Sequence, residues 1–343
     1  MTGQLNLGAL LAVLGGMLQG SFALPMKRLE RRWRWENTWL IYSIVGLIVF
    51  PFILAYLTIP SLGRVYSAVP ASAVALVAVF GFGWGLGSTL FGLGVSRVGM
   101  ALAFAVILGI TSSFGSLLPL LILNTGELWT HRGAMLLFAL ALAVVGIVLL
   151  AKAGAQRDKE RSRAAGESAS RGSFRTGLII CLAAGVLSPM LNFSFVFGKA
   201  LQDAAVALGA RPDLASNAIW APALAAGFLP NALYPMLLLW KNKTWGNFTA
   251  PGVSAWYWLG AMLMGLLWYG GISLYGEGAA MMGPLGGVLG WPIFMSMNII
   301  VGNVLGFLSG EWAGASTKTR SLSWSGIAIL VAAIVVVALA SRS

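Results

Sequence analysis

Ten stretches of this sequence run for about 20 residues with almost no charge, and each is long enough for an α-helix to cross the hydrocarbon core of a bilayer. They cover residues 5–25, 38–59, 72–95, 98–123, 133–151, 177–198, 216–240, 254–276, 285–309 and 324–340. The pattern predicts an all-α integral membrane protein with ten transmembrane helices. In a chain of 343 residues it leaves only short loops and no room for a separate soluble domain. Charge agrees: 9% of residues are charged, against roughly 25% in soluble domains. That is too few to skin a soluble core. Soluble enzymes, nucleic-acid binders and disordered chains are thereby excluded.

The first run reads as a retained span rather than a cleavable signal. No basic residue precedes it, and Lys27, Arg28, Arg31, Arg32 and Arg34 follow it. Basic residues also orient the whole chain, because cytoplasmic loops are enriched in Lys and Arg. The odd-numbered loops hold 17 of the 22 basic residues, and the other side holds 5. The expectation is a multi-pass protein of the cell inner membrane with both termini periplasmic. The net charge of +12 is then an orientation signal, and no nucleic-acid partner is expected. The most basic loop is rich in Ala, Gly and Ser and reads as a flexible cytoplasmic linker. It divides the chain into a first five-helix unit, residues 1–151, a linker, 152–176, and a second five-helix unit, 177–343.

Phe80–Ala103 and Met264–Gly287 share seven of 24 positions at a constant offset of 184. Gly81, Trp84, Gly87, Leu90, Gly92, Gly94 and Gly99 face Gly265, Trp268, Gly271, Leu274, Gly276, Gly278 and Gly283. Gly8 and Gly16 match Gly177 and Gly185 in the first and sixth runs. An odd number of spans per unit forces the two units to cross the membrane in opposite directions. Inverted repeats with substrate held between them are a transporter architecture.

Several motifs carry a family resemblance. Trp33-x-Trp35-Glu36-x-x-Trp39 opens the second run; Trp84-Gly85-x-Gly87, Gly92-Leu93, Gly99-Met100, Gly109-Ile110-Thr111 and Pro119 follow. Asp203-Ala204-Ala205 with Ala207-Leu208-Gly209, then Trp268-Tyr269, Gly302, Gly306 and Glu311-Trp312 complete the set. Together they resemble the L-rhamnose–proton symporter family of the drug/metabolite transporter superfamily. The resemblance implies ten helices in two inverted five-helix repeats and sugar uptake across the inner membrane. The chain departs from the family at Gly271 and Ala279, where Gln and His are expected, and at Glu277, where an aromatic residue is expected. The substrate and the coupling ion therefore stay open at this point.

Substrate-binding residues should be polar or aromatic groups at mid-span, where a polar group facing lipid is unfavourable. Those chosen are Gln19, Trp84, Ser88, Asn192, Asn231, Trp268, Tyr269, Trp291 and Asn298, with Thr89, Thr111, Ser112 and Ser296 as further polar groups. Amide side chains supply paired donors and acceptors for hydroxyls, and aromatic faces pack on the C–H side of a sugar ring. Interhelical hydrogen bonding is the competing explanation for each of them. No Arg, Lys, Asp or Glu falls at mid-span, which disfavours anionic and cationic substrates and leaves a neutral polyhydroxylated one. One acid, Glu277, lies at the outer end of the eighth run. It is the candidate proton carrier, because a carboxyl partly withdrawn from water can exchange a proton during a transport cycle.

With one cysteine, Cys181, and one histidine, His131, no disulfide, metal site or cofactor is expected. The expected function is a secondary transporter importing a neutral sugar, L-rhamnose or a related deoxy-sugar, with a proton as coupling ion. A carrier or exporter of another small metabolite, such as an amino acid, is the alternative. An enzyme is not expected, because no cluster of catalytic acids, bases or metal ligands is present.

Overall fold

The computed structural model describes residues 2–98, 100–165 and 174–341. Among these residues the fold is helical throughout, with no strand. The long helices are α1 (Thr2–Ser21), α2 (Trp35–Thr58), α3 (Ala71–Val98), α4 (Met100–Leu123), α5 (His131–Ala165), α6 (Arg175–Ala207), α7 (Asn217–Lys241), α8 (Ala255–Met281), α9 (Gly286–Leu308) and α10 (Thr317–Ala340). Among the described residues, nine helices are long and apolar enough to cross a membrane. The helix over the first predicted run, α1, is not among the nine; Gln4, Asn6 and Gln19 dilute its apolar content.

Local chemistry sets the helix ends and breaks. The backbone N–H of Arg34 donates to Asn37 Oδ1 at 3.1 Å at the entry of α2, and Ser316 Oγ accepts from the Thr319 N–H at 3.3 Å at the entry of α10. Such side-chain caps satisfy donors that a helix leaves open. Inside α2 one turn, Ile44–Val49, is a π-helix. The α6 helix breaks after Leu187, resumes at Met190, and continues as Lys199–Ala207. The loop expected after residue 198 is therefore helical, and Lys199 and Asp203 pair one turn apart at 2.6 Å.

The segment expected to be a flexible linker is helical as far as Ala165, as the end of α5. Its side chains find partners on the turn before α10 and in the first turn of α10. Glu160 accepts from Ser316 Oγ and Thr319 Oγ1, both at 2.8 Å. Arg157 pairs with Glu311 at 3.6 Å and lies over the Trp312 ring. The rest of the expected linker includes residues 166–173, which lie outside the described residues.

Packing places α1 against α8 and α9, α6 against α3 and α4, α3 against α7, and α2 against α7 and α8, with α5 and α10 paired at one flank. Glycines permit the closest approaches. A Cβ on Gly15 would lie 2.6 Å from the Gly271 carbonyl oxygen, and one on Gly271 would lie 2.6 Å from the Gly15 carbonyl oxygen. The principal core is aromatic: Trp33, Tyr42, Trp220, Trp268, Tyr275, Trp291 and Phe294 are buried in it.

Candidate functional site

Prolines shape the middle of the molecule. A proline inside a helix has no N–H, so the carbonyl four residues earlier loses its donor. Pro119 frees the Gly115 carbonyl, and Asn192 Nδ2 donates to it at 2.9 Å. Pro189 does the same to Gly185, whose carbonyl accepts Thr111 Oγ1 at 3.4 Å. Pro222 frees Ala218, whose carbonyl accepts the Tyr66 hydroxyl at 3.1 Å. Burial pushes the Tyr66 hydroxyl well above its ordinary range, so it keeps its proton and remains a donor. Several polar side chains are thus committed to the backbone.

A cavity of about 240 Å³ lies between α1, α2, α3, α4, α6, α8 and α9, and Thr111 lines it too. Of the residues chosen from sequence, it brings together Gln19, Trp84, Ser88, Trp268, Trp291 and Asn298. The Trp84 and Trp268 rings pack at 5.1 Å between centroids, and Tyr42 meets Trp268 edge-on at 6.3 Å. Asn298 Nδ2 donates to Gln19 Oε1 at 2.7 Å. That bond leaves Gln19 Nε2 as a donor and Asn298 Oδ1 as an acceptor with no protein partner among the described residues. The Trp291 indole donates to the Thr111 carbonyl at 3.1 Å, so it offers the cavity a ring face only. Gly115 makes room for that indole: a Cβ there would collide with it.

Three chosen residues lie elsewhere. Asn192 is fully buried behind the cavity, donating also to the Gly287 carbonyl at 3.1 Å and accepting from the Tyr275 hydroxyl. Asn231 accepts from Ser88 Oγ at 3.1 Å and from the Trp39 indole at 3.2 Å, and donates to the Gly227 carbonyl at 3.0 Å. It holds two cavity residues in place from outside. Tyr269 lines a separate recess of about 360 Å³ between α1, α2 and α8, among Leu18, Phe50, Ile53, Leu54, Leu266 and Leu274. That larger recess is lined mostly by apolar side chains, and the two hydroxyls that border it, of Tyr269 and Ser273, are bonded to Asn217 and Glu277.

Glu277 also stands apart from the cavity. It is half-buried near the far end of α8, where Ser273 Oγ donates to it at 3.3 Å and Arg211 and Asp213 are its charged neighbours. Sequence reasoning did not include Phe22, Trp39, Tyr42, Phe91, Ser188 and Phe294 among the cavity residues. Trp39 and Tyr42 were detectable, because they stand three residues apart on one helical face. Ser188 was detectable as the residue before a helix-breaking proline.

Among the described residues, the cavity lining contains no charged side chain. Amides, hydroxyls and aromatic faces meet there inside a helical membrane protein, a lining whose chemistry suits a small neutral molecule. Comparison with known proteins identifies the family. A family model for the L-rhamnose-proton symport protein (RhaT) matches residues 1–342. The chain belongs to the L-rhamnose–proton symporter family. Its members are transporters, and the chain is a transporter and not an enzyme. It is 28% identical to the L-rhamnose-proton symporter of Cronobacter sakazakii, with 98% of each chain covered. It is 26% identical to that of Klebsiella pneumoniae subsp. pneumoniae, with 100% of each covered. It is also 26% identical to that of Escherichia coli (strain 55989 / EAEC), with 98% of each covered.

Proposed function

We propose that this protein imports a neutral deoxy-hexose, L-rhamnose or a close relative, together with a proton, across the bacterial inner membrane. The observation that carries this reading is the charge-free cavity in which the Trp84–Trp268 pair faces the Gln19–Asn298 pair. Aromatic faces match the apolar face of a pyranose, and the open amide donor and acceptor match its hydroxyls. Gln19, Trp84, Trp268, Trp291 and Asn298 contact the sugar; Ser88 lines the cavity with its hydroxyl on Asn231, and Asn192 and Asn231 support the wall. Uptake of a panel of labelled sugars and amino acids in cells expressing the protein tests it. Saturable uptake confined to deoxy-hexoses is expected, and uptake of amino acids alone overturns it.

The cavity also supports a fold of ten spans in two inverted repeats, residues 1–151 and 177–343, joined through 152–176, as in the drug/metabolite transporter superfamily. The matched pair Trp84 and Trp268 meet each other, as residues near an axis relating two repeats would. The offset that matches Gly16 with Gly185 also pairs Gln19 with Ser188, and both line the cavity. Gly87 abuts Ser188, and its mate Gly271 abuts Gln19. Gly94 abuts Cys181, and its mate Gly278 abuts Ala12, at the same offset.

The charge distribution supports periplasmic termini. A cysteine at Lys159, on a Cys181-free background, is then expected to resist membrane-impermeant thiol reagents in intact cells. Its modification from outside reverses the orientation.

Glu277 is the proposed proton carrier, supported by its partial burial and its place between Ser273 and the Arg211–Asp213 pair. Glu277→Gln is expected to abolish accumulation driven by a pH gradient in proteoliposomes while sugar counterflow persists. Undiminished pH-driven accumulation removes Glu277 from the role.

A further inference from the structure

The α2 and α7 helices lie together along their length, and polar side chains join them at both ends. At one end, the first turn of α2 reaches the segment that follows α7. Asn37 Nδ2 donates to the Thr244 carbonyl at 2.9 Å, and Asn247 Nδ2 donates to Asn37 Oδ1 at 3.4 Å. Glu36 Oε1 accepts from Asn242 Nδ2 at 2.9 Å and from Thr244 Oγ1 at 3.0 Å. The Trp33 indole donates to the Asn247 carbonyl at 3.1 Å. At the other end the arrangement repeats with the helices exchanged. The first turn of α7 reaches the end of α2 and the segment after it. Asn217 Nδ2 donates to Thr58 Oγ1 at 3.1 Å, and the Tyr66 hydroxyl donates to the Ala218 carbonyl. Asn37 and Asn217 are both fully buried, and each is an amide in the first turn of one helix holding the chain that follows the other.

We infer that Asn37 with Glu36, and Asn217 with Thr58, are the two latches of the transport cycle, one at each mouth of the cavity. Both are made in this structure. The α2 helix supplies Trp39 and Tyr42 to the cavity wall, and α7 braces that wall through Asn231. Parting α2 from α7 at one end therefore opens the cavity to that side, and a transporter must do this at one end at a time. These are positioning residues: none of the four lines the cavity or touches the sugar.

The latches are unequal. Five side-chain bonds cross the α2-start end, two of them to a carboxylate. Two neutral bonds cross the α7-start end. Bonds to a charged acceptor are about twice as strong as neutral ones. Opening at the α7-start end is consequently the easier motion. Under the orientation proposed above, that end faces the periplasm, so the empty transporter waits open towards its substrate.

The inference rests on the proposed transport function, and its test is independent of the substrate. Leu108 lines the cavity and takes no part in either latch. A Leu108→Cys reporter in a Cys181-free background is labelled with an impermeant maleimide in right-side-out and inside-out vesicles without sugar. Glu36→Gln keeps the shape of the side chain and weakens the inner latch. It should lower the ratio of outside to inside labelling about 3–10-fold, the effect of one or two weakened bonds on a two-state equilibrium. Thr58→Val, equally isosteric, should raise the ratio by a similar factor, and Thr58→Ser should restore it. If the orientation is reversed, both effects change sign together. Ratios that stay constant, or move in the same direction in both variants, overturn the latches. Protection of the reporter by L-rhamnose is read separately. Its absence discards the proposed substrate and leaves the latch result standing.

Discussion

Asn192 and Asn298 are the same residue type near the middle of the bundle, and the sequence offers both as sugar ligands. Their surroundings separate them. Asn192 has both amide hydrogens on backbone carbonyls and its oxygen on a tyrosine hydroxyl. Asn298 has one side-chain bond among the described residues, to Gln19, and lines the cavity. A polar side chain inside a membrane protein thus reports on function only through what its neighbours leave unbonded. The first amide holds four helices together; the second is available to a ligand.

Substitutions can break or sharpen that contrast. Asn192→Leu carries the largest expected effect, because it strands the Gly115 and Gly287 carbonyls and the Tyr275 hydroxyl in a dry interior. A buried group left unpartnered costs about 1–3 kcal/mol, so a large fall in the thermal midpoint of the purified protein is expected. A variant that keeps its midpoint and loses only sugar affinity would put Asn192 back among the ligands. Asn298→Ala should do the reverse, lowering apparent sugar affinity about 5–150-fold, the equivalent of one buried hydroxyl losing its partner, with little change in midpoint. Gln19→Ala should act similarly, and the double variant should fall short of the sum because the two amides act as a unit. Equilibrium binding of labelled sugar reads all three.

A smaller effect is expected for Trp268→Leu, which keeps the site apolar and removes the flat face that Trp84 and the sugar share. Aromatic packing contributes about 0.5–1.5 kcal/mol beyond area, or roughly a tenfold loss at most. Ser88→Ala should have the smallest effect, about twofold or less in affinity. It deletes one of two donors to Asn231 Oδ1, and the Trp39 indole remains, a net loss of about 0.5 kcal/mol or less. A larger loss would mean that Ser88 touches the sugar directly.

The helical class and most of the span positions were legible because the bilayer imposes a long apolar run on each spanning helix, and such runs survive in a bare sequence. Periodicity said less about where helices end. The extension of α5 to Ala165 depends on Glu160 and Arg157 finding partners more than 150 residues away, and no local window contains that information. The site divides in the same way. Gln19, Trp84, Trp268 and Asn298 were visible as polar or aromatic groups in apolar runs. Asn192 and Asn231 looked identical to them, since their partners come from distant helices. One local signal was present for Asn192: Pro119 announces a carbonyl in need of a donor, though not which side chain supplies it.

The α7 helix contains Pro222, Pro230 and Pro235. A continuous helix is stiff because bending it stretches hydrogen bonds on the outer side of the curve. Three rungs of that ladder are missing from α7, and among the described residues the Tyr66 hydroxyl replaces only the first. Its partner α2 has a π-helical turn, Ile44–Val49, at the middle, and helices often kink at such turns. The two helices therefore act as compliant rods rather than levers. A displacement applied at one end is absorbed as curvature before it reaches the other. Pro230→Ala should stiffen the rod, coupling the two ends so that they open together or not at all. Turnover would then slow while equilibrium sugar binding stays unchanged, which single-turnover exchange and binding isotherms measure separately.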